Sequence, residues 1–282
     1  MSKSIKIENT IDGLRATVAS WRKDNLSVGL VPTMGALHEG HFSLVAQSVA
    51  DNDRTCVSIF INPRQFGPNE DLEAYPRDKD ADLQALEDRN ADLLFAPSVD
   101  EMYAEGFVTK VSVPGIGDQL EGEFRPGFFT GIATVVSKLL IQALPDRAYF
   151  GEKDYQQLCV IRRMKLDLDL PVEIIACPVI RDRDGLALSS RNSYLTPDQR
   201  ALAPTLYRVL TKTAECFYSF ADANESILAG SEELLDTGFT KVDYIAICNP
   251  ITLELVENSS GPVRVLGAAW LGSNRLIDNI EK

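Results

Sequence analysis

From residue 11 to about residue 180 the chain alternates between two hydrophobic rhythms. Short, almost continuously apolar runs, SVGLV (27–31), CVSIFI (56–61), DLLFAP (92–97), RAYF (147–150) and VEIIA (172–176), have the length of strands buried on both faces. Between them lie segments whose apolar residues recur at helical spacing: 11–22, 41–50, 78–90, 133–144, and a further stretch that follows GEKD. Buried strands alternating with helices predict βαβ units on a parallel sheet. The glycine-rich stretch 113–131 and the turn-rich RDRDGLALSSRN (181–192) read as loops.

After Tyr194 the rhythm changes. TPDQRALAPTLYRVL opens a helix with Thr196 as N-cap and Pro197 at its first position. The remainder reads as two helices followed by the alternating strands VDYIAI (242–247) and VRVLGAAW (263–270), a small α+β unit. The expected division is residues 1–185 and residues 186–282.

Composition narrows the function classes. The 282 residues are 45% hydrophobic and 24% charged, ordinary for a globular protein. Against 28 Lys and Arg stand 41 Asp and Glu, a net charge of −13 that repels nucleic acid and anionic membrane surfaces. An anionic ligand must therefore be held by a local group of donors. No apolar run approaches the ~18 residues of a bilayer span. The opening MSKSIKIENTIDGLRATV has neither the apolar core nor the cleavage site of a signal peptide, so the cytoplasm is the expected location. Five widely spaced cysteines without a C-x-x-C pair predict buried free thiols, and with only two histidines a Cys/His metal centre is not expected.

The candidate chemistry lies at strand ends. SVGLV runs into PTMGALHEGH and the helix HFSLVAQSVA, so a glycine-containing turn carries both histidines, His38 and His41, to a helix N-terminus. Unpaired backbone N–H groups and the helix dipole favour phosphate there, and imidazole N–H groups add further donors. FGEKDYQQL, after RAYF, brings Lys153 to the same carboxyl edge of the sheet. In LALSSRN, Ser189, Ser190, Arg191 and Asn192 gather hydroxyls, backbone donors and a guanidinium that can grip phosphate oxygens in pairs. INPRQF places Asn62 and Gln65 just past CVSIFI, and LEGEFRPG places Glu121 and Arg125 in the glycine-rich stretch. Neutral amides at a strand end suit a small hydroxy acid, since they bind its oxygens without burying a net charge. Taken singly, each motif also reads as structure: a cap, an exposed charged turn, a Ser/Asn turn. Three rival readings are an adenylyltransferase with a dinucleotide-like product, a noncatalytic nucleotide-binding regulator, and a tRNA ligase, the last disfavoured by the acidic C-terminal third.

In order and spacing, PTMGALHEGH, SIFINPRQF, YPRD, LEGEFRPG, FGEKDYQQL, LALSSRNSYLT and GAAWLGSNRLIDN resemble the pantothenate synthetase family over nearly the whole chain. HEGH resembles the HIGH motif of the nucleotidyltransferase superfamily, and LALSSRN stands in the place of the KMSKS loop. The resemblance implies an α/β fold: a Rossmann-like parallel-sheet nucleotidyltransferase domain for ATP and pantoate, with the smaller α+β domain closing over the active site. It implies ATP-dependent condensation of (R)-pantoate with β-alanine through a pantoyl adenylate, releasing AMP and pyrophosphate on the route to coenzyme A. Mg²⁺ accompanying ATP and a homodimer are implied as well. Carried over by position, the ATP site falls on Met34, Gly35, Ala36, Leu37, His38, Glu39, Gly40 and His41, on Gly151, Glu152, Lys153 and Asp154, on Ile180 against the adenine, and on Leu188, Ser189, Ser190 and Arg191. His41 matches the position named as proton donor. Gln65 and Gln157 match the pantoate ligands, Gln65 also lies where β-alanine enters, and Asn62, Tyr75, Glu121 and Arg125 match further lining positions. In one place the chain departs from the pattern: Phe128, in GFFTG, stands where the family carries a histidine.

Overall fold

The computed structural model describes residues 4–68, 70–220, 222–258 and 261–282; residues 1–3 of the N-terminal stretch read above lie outside them. Six strands, β1 (Lys6–Glu8), β2 (Val28–Thr33), β3 (Arg54–Ile59), β4 (Leu93–Phe95), β5 (Arg147–Gly151) and β6 (Glu173–Cys177), form a parallel sheet in the order β1-β4-β3-β2-β5-β6. Their continuous apolar runs resolve by pleat into two cores. Leu30, Cys56, Leu93 and Ala148 enter one, with Leu14 and Val18 of the Ile11–Lys23 helix and the apolar faces of the Phe128–Ala143 and Tyr155–Asp167 helices. Val31, Val57, Leu94 and Tyr149, each the next residue along, enter the other, with Leu44 and Val45 of the Glu39–Asp51 helix and Leu86 of the Lys79–Asp88 helix.

Several details differ from the sequence reading. β1 has no apolar run, and it exists because its backbone extends the sheet beside β4. The helix expected from residue 133 begins at Phe128, where Gly127 in the left-handed conformation (φ 83°) lets the chain turn into it and Phe129 and Ile132 lengthen its buried face. The helix opened by the Thr196–Gln199 capping box stops at Leu202 and restarts at Thr205. Pro204 explains the break, since it lacks the N–H that would continue the helical ladder, although Ala203 before it keeps helical geometry (φ −53°, ψ −37°).

The C-terminal part is an antiparallel sheet, β7 (Lys241–Cys248), β8 (Arg264–Leu271) and β9 (Asn274–Glu281), ordered β7-β8-β9. Alternate residues face opposite ways: Ile245 and Ile247 meet Val209, Leu210, Phe217 and Leu234 of its own helices. Ala246, Cys248 and Leu266 instead join the first core. The two parts thus share an apolar interface. The cysteines are free, four of them buried, and burial pushes the Cys56 and Cys248 thiols up to about 12. Among the described residues no helix is long and apolar enough to cross a membrane.

Candidate active site

The chain leaves β2 for β3 on one side and later leaves β5 for β6 on the other, so the strand order reverses between β2 and β5. The crevice outside the carboxyl ends of such neighbours is where open parallel sheets bind ligands. A cavity of about 210 Å³ lies there, between the HEGH turn, the GEKD turn and the SSRN segment. It opens into a wider cleft of about 860 Å³ toward β7, β8 and β9, the two sharing Met34, Gln65, Lys153, Asp154, Gln157, Ser189 and Arg191.

His38 is the N-cap of the Glu39–Asp51 helix and His41 lies in its first turn. The rings stack obliquely, 4.1 Å between centroids. His38 Nδ1 accepts from the Gly40 N–H at 3.1 Å, and His41 Nδ1 accepts from the His38 N–H at 3.4 Å. A Cβ on Gly40 would come within 2.8 Å of the His38 ring, so glycine is what allows the imidazole to lie over that amide. With both Nδ1 atoms accepting, each neutral ring carries its proton on Nε2. Burial favours that neutral form: it lowers His38, and it brings His41 down to about 3, with His38 and Lys153 pushing in the same direction. The pair therefore offers two N–H donors and no net charge, while Lys153, with Asp154 3.8 Å away, supplies the cation.

Of the residues singled out in the sequence, Met34, His38, Gly40, His41, Gln65, Tyr75, Gly151, Lys153, Asp154, Gln157, Ile180, Leu188, Ser189, Ser190 and Arg191 line the smaller cavity. Ile180 and Leu188 are brought together by the Leu188 N–H bond to the Ile180 carbonyl (2.9 Å), which closes the 180–188 hairpin. Glu121 and Arg125 line the wider cleft. Gly35, Ala36, Leu37, Glu39, Glu152 and Asn62 line neither. The Ala36 and Leu37 N–H groups already donate to the Asp82 carboxylate at 2.9 and 2.8 Å, Glu39 pairs with Arg89, and Glu152 pairs with Arg264. Asn62 is buried beneath Gln65. The two arginines singled out in the sequence have carboxylate partners: Arg125 binds Glu70 and lies 3.4 Å above the Phe128 ring, and Arg191 binds Asp71 through two bonds of 3.0 and 2.8 Å.

Several contributors were not singled out in the sequence. Asp82 shapes the HEGH turn, and its trace was a carboxylate on the inward stripe of the Lys79–Asp88 helix, one turn before Leu86. Asn279 of β9 donates to the carbonyls of Glu152 and Lys153 at 2.9 and 3.0 Å, so the C-terminal sheet holds the lysine turn in place. Asp71, Tyr103 and the apolar cavity wall of Ile132, Val135, Val136 and Leu139 carried no local mark of a site.

A parallel sheet with a donor-rich cleft at its switch point places the chain among the α/β enzymes that handle phosphate-bearing substrates. Comparison with known proteins narrows this. The family model described as pantoate-beta-alanine ligase matches residues 6–281. A pantothenate synthetase from Paramagnetospirillum magneticum is 53% identical over 280 residues, 99% of each chain. The crystal structure of pantothenate synthetase from Thermus thermophilus superposes with a TM-score of 0.91 at 46% identity, covering 98% of this chain and 99% of that one. A Francisella tularensis pantoate-beta-alanine ligase, solved in complex with beta-gamma ATP and β-alanine, gives 0.84 at 36% identity, covering 98% and 97%. The chain therefore belongs to the pantoate–β-alanine ligase family and is an enzyme of pantothenate synthesis.

Proposed function

We propose that the cleft joins (R)-pantoate to β-alanine in two steps. A pantoate carboxylate oxygen attacks the α-phosphorus of ATP, and the bond to pyrophosphate breaks as the acyl adenylate forms. The uncharged amine of β-alanine then attacks the acyl carbon, loses a proton and expels AMP. The observation that carries this reading is the imidazole pair: both Nδ1 atoms are committed to backbone amides, which leaves two preorganised Nε2–H donors beside Lys153. Such donors stabilise charge that develops on phosphate oxygens and need no reorganisation at the moment of reaction. His41 then acts as a neutral hydrogen-bond donor. Ser189 and Ser190 add hydroxyls, and Arg191, held by Asp71 through Nε and Nη2, turns Nη1 to the phosphate oxygens. Gln65 and Gln157 hold the pantoate oxygens, and Ile180 lies against the adenine.

Among the described residues no group of three or more His, Cys, Asp or Glu could hold a metal by itself. Asp154, a half-exposed carboxylate on the cavity wall, is a hard oxygen donor that would hold Mg²⁺ arriving with the nucleotide. Bound there, the ion would neutralise charge on the leaving pyrophosphate. Water has to be kept from the mixed anhydride, and the SSRN segment, joined to the opposite wall through Arg191 and Asp71, together with the part of the chain over 186–282, supplies the enclosure. Family resemblance supports a homodimer, checked by sedimentation equilibrium, and a cytoplasmic setting, in keeping with five free thiols.

The test is ATP–pyrophosphate exchange with pantoate present and β-alanine absent. A free-standing first step gives pantoate-dependent exchange. No exchange from enzyme that is active with all three substrates would overturn the adenylate route.

A further inference from the structure

Asn62, 1% exposed, uses all four of its side-chain hydrogen-bonding directions. Its Oδ1 accepts from the Arg64 N–H (3.2 Å) and from the Tyr103 hydroxyl (2.8 Å), and its Nδ2 donates to the Gly131 carbonyl (3.2 Å) and to Gln65 Oε1 (3.0 Å). A backbone N–H can only donate and a carbonyl can only accept, so Arg64 and Gly131 leave the Asn62 amide one orientation. Its second N–H then requires an acceptor, so Gln65 must turn Oε1 inward and Nε2 toward the cavity, where it lies 3.1 Å from Met34 Sδ. The contact is close-fitted: a Cβ on Gly131 would come within 2.2 Å of the Arg64 carbonyl.

We infer that Tyr103, by filling the second acceptor direction of Asn62 Oδ1, braces the amide that fixes which end of Gln65 meets the acid substrate, and is thus a positioning residue for that substrate. The inference rests on the reading above, in which Gln65 binds pantoate. A donor there attracts a carboxylate or hydroxyl oxygen, whereas an inverted amide would present Oε1 and repel the carboxylate. Tyr103 delivers its hydroxyl to a fixed point because its ring is held between Phe60 and Phe107, with the Arg64 guanidinium 4.6 Å from its centre. Burial pushes the hydroxyl up to about 12, so it remains a donor at every working pH.

Tyr103→Phe keeps the ring and removes the donor. The expected result is a rise of about three- to tenfold in KM for pantoate, the loss of one hydrogen bond, with kcat and KM for ATP within about twofold of wild type. In a Gln65→Ala background the same change should add nothing to the pantoate KM, which separates a role exerted through Gln65 from a general structural one. Asn62→Asp provides an independent variant: its carboxylate cannot donate to Gln65, so the amide inverts and KM for pantoate should rise by about tenfold or more. If Gln65→Ala leaves KM for pantoate unchanged, the assignment of Gln65 falls and the inference falls with it. If Gln65→Ala raises KM while Tyr103→Phe has no effect, or the same effect in both backgrounds, the inference alone is overturned. Should Tyr103→Phe not fold, an unchanged pantoate KM in folded Asn62→Asp overturns it as well.

Discussion

Replacing His41 with glutamine should remove an acid-labile part of the folding stability. The folded His41 lies at about 3, against 6.5 for the free side chain, chiefly because burial disfavours the imidazolium. Between those values the unfolded chain takes up a proton that the folded chain refuses, so acid favours unfolding. The contribution is fully present above about pH 6.5 and is lost progressively as pH falls toward 3. Each pH unit in that window is worth about 1.4 kcal/mol, so His41 alone costs wild type about 2 kcal/mol between pH 7 and pH 5. His38, lowered by the same burial, adds to the loss in wild type and in the variant alike. Carboxylates titrate in both proteins and cancel in the comparison. Urea denaturation at pH 7 and pH 5 measures the difference: the wild-type loss should exceed that of His41→Gln by about 2 kcal/mol, at equal m-values. Equal losses in the two proteins would show that His41 is not held neutral, and the assignment of its proton to Nε2 would lose its support.

Lys153→Ala should lower the rate of single-turnover adenylation by roughly 10²–10³, the usual loss of one preorganised group facing transition-state charge; a folded variant within about threefold of wild type would remove Lys153 from that role. Asn279→Ala frees the Glu152 and Lys153 carbonyls, so kcat should fall by about tenfold or more while KM for pantoate stays within about threefold, and unchanged kcat would mean that the lysine turn holds itself. Phe128→His trades the ring beneath Arg125 for an imidazole, and kcat/KM for ATP and pantoate between pH 6 and 9 should move by no more than about tenfold. A hundredfold gain with a new ionisation near pH ~6.5 would instead identify a catalytic group that this chain lacks.

Much of the site was legible along the chain because its carriers are local. An apolar run followed by a glycine-containing turn and an amphipathic helix must place the turn at the carboxyl edge of a parallel strand, so His38, His41 and Lys153 converge without reference to any distant residue. Thr196 and Gln199 likewise declare their helix start three residues apart. What the pattern encodes is that a residue is buried, and not against what. β1 and β9 gain their identity from the strands beside them. The sheet of β7, β8 and β9 alternates clearly in sequence, yet only packing shows that one face completes the core of the first part of the chain. Ala36 and Leu37, which the resemblance assigned to the ATP site, have their N–H groups taken by Asp82 from a separate helix. Hydrogen bonds between residues far apart in the chain, Asn279 to the lysine turn or Tyr103 to Asn62, depend on how whole elements are placed, and only the tertiary structure decides that.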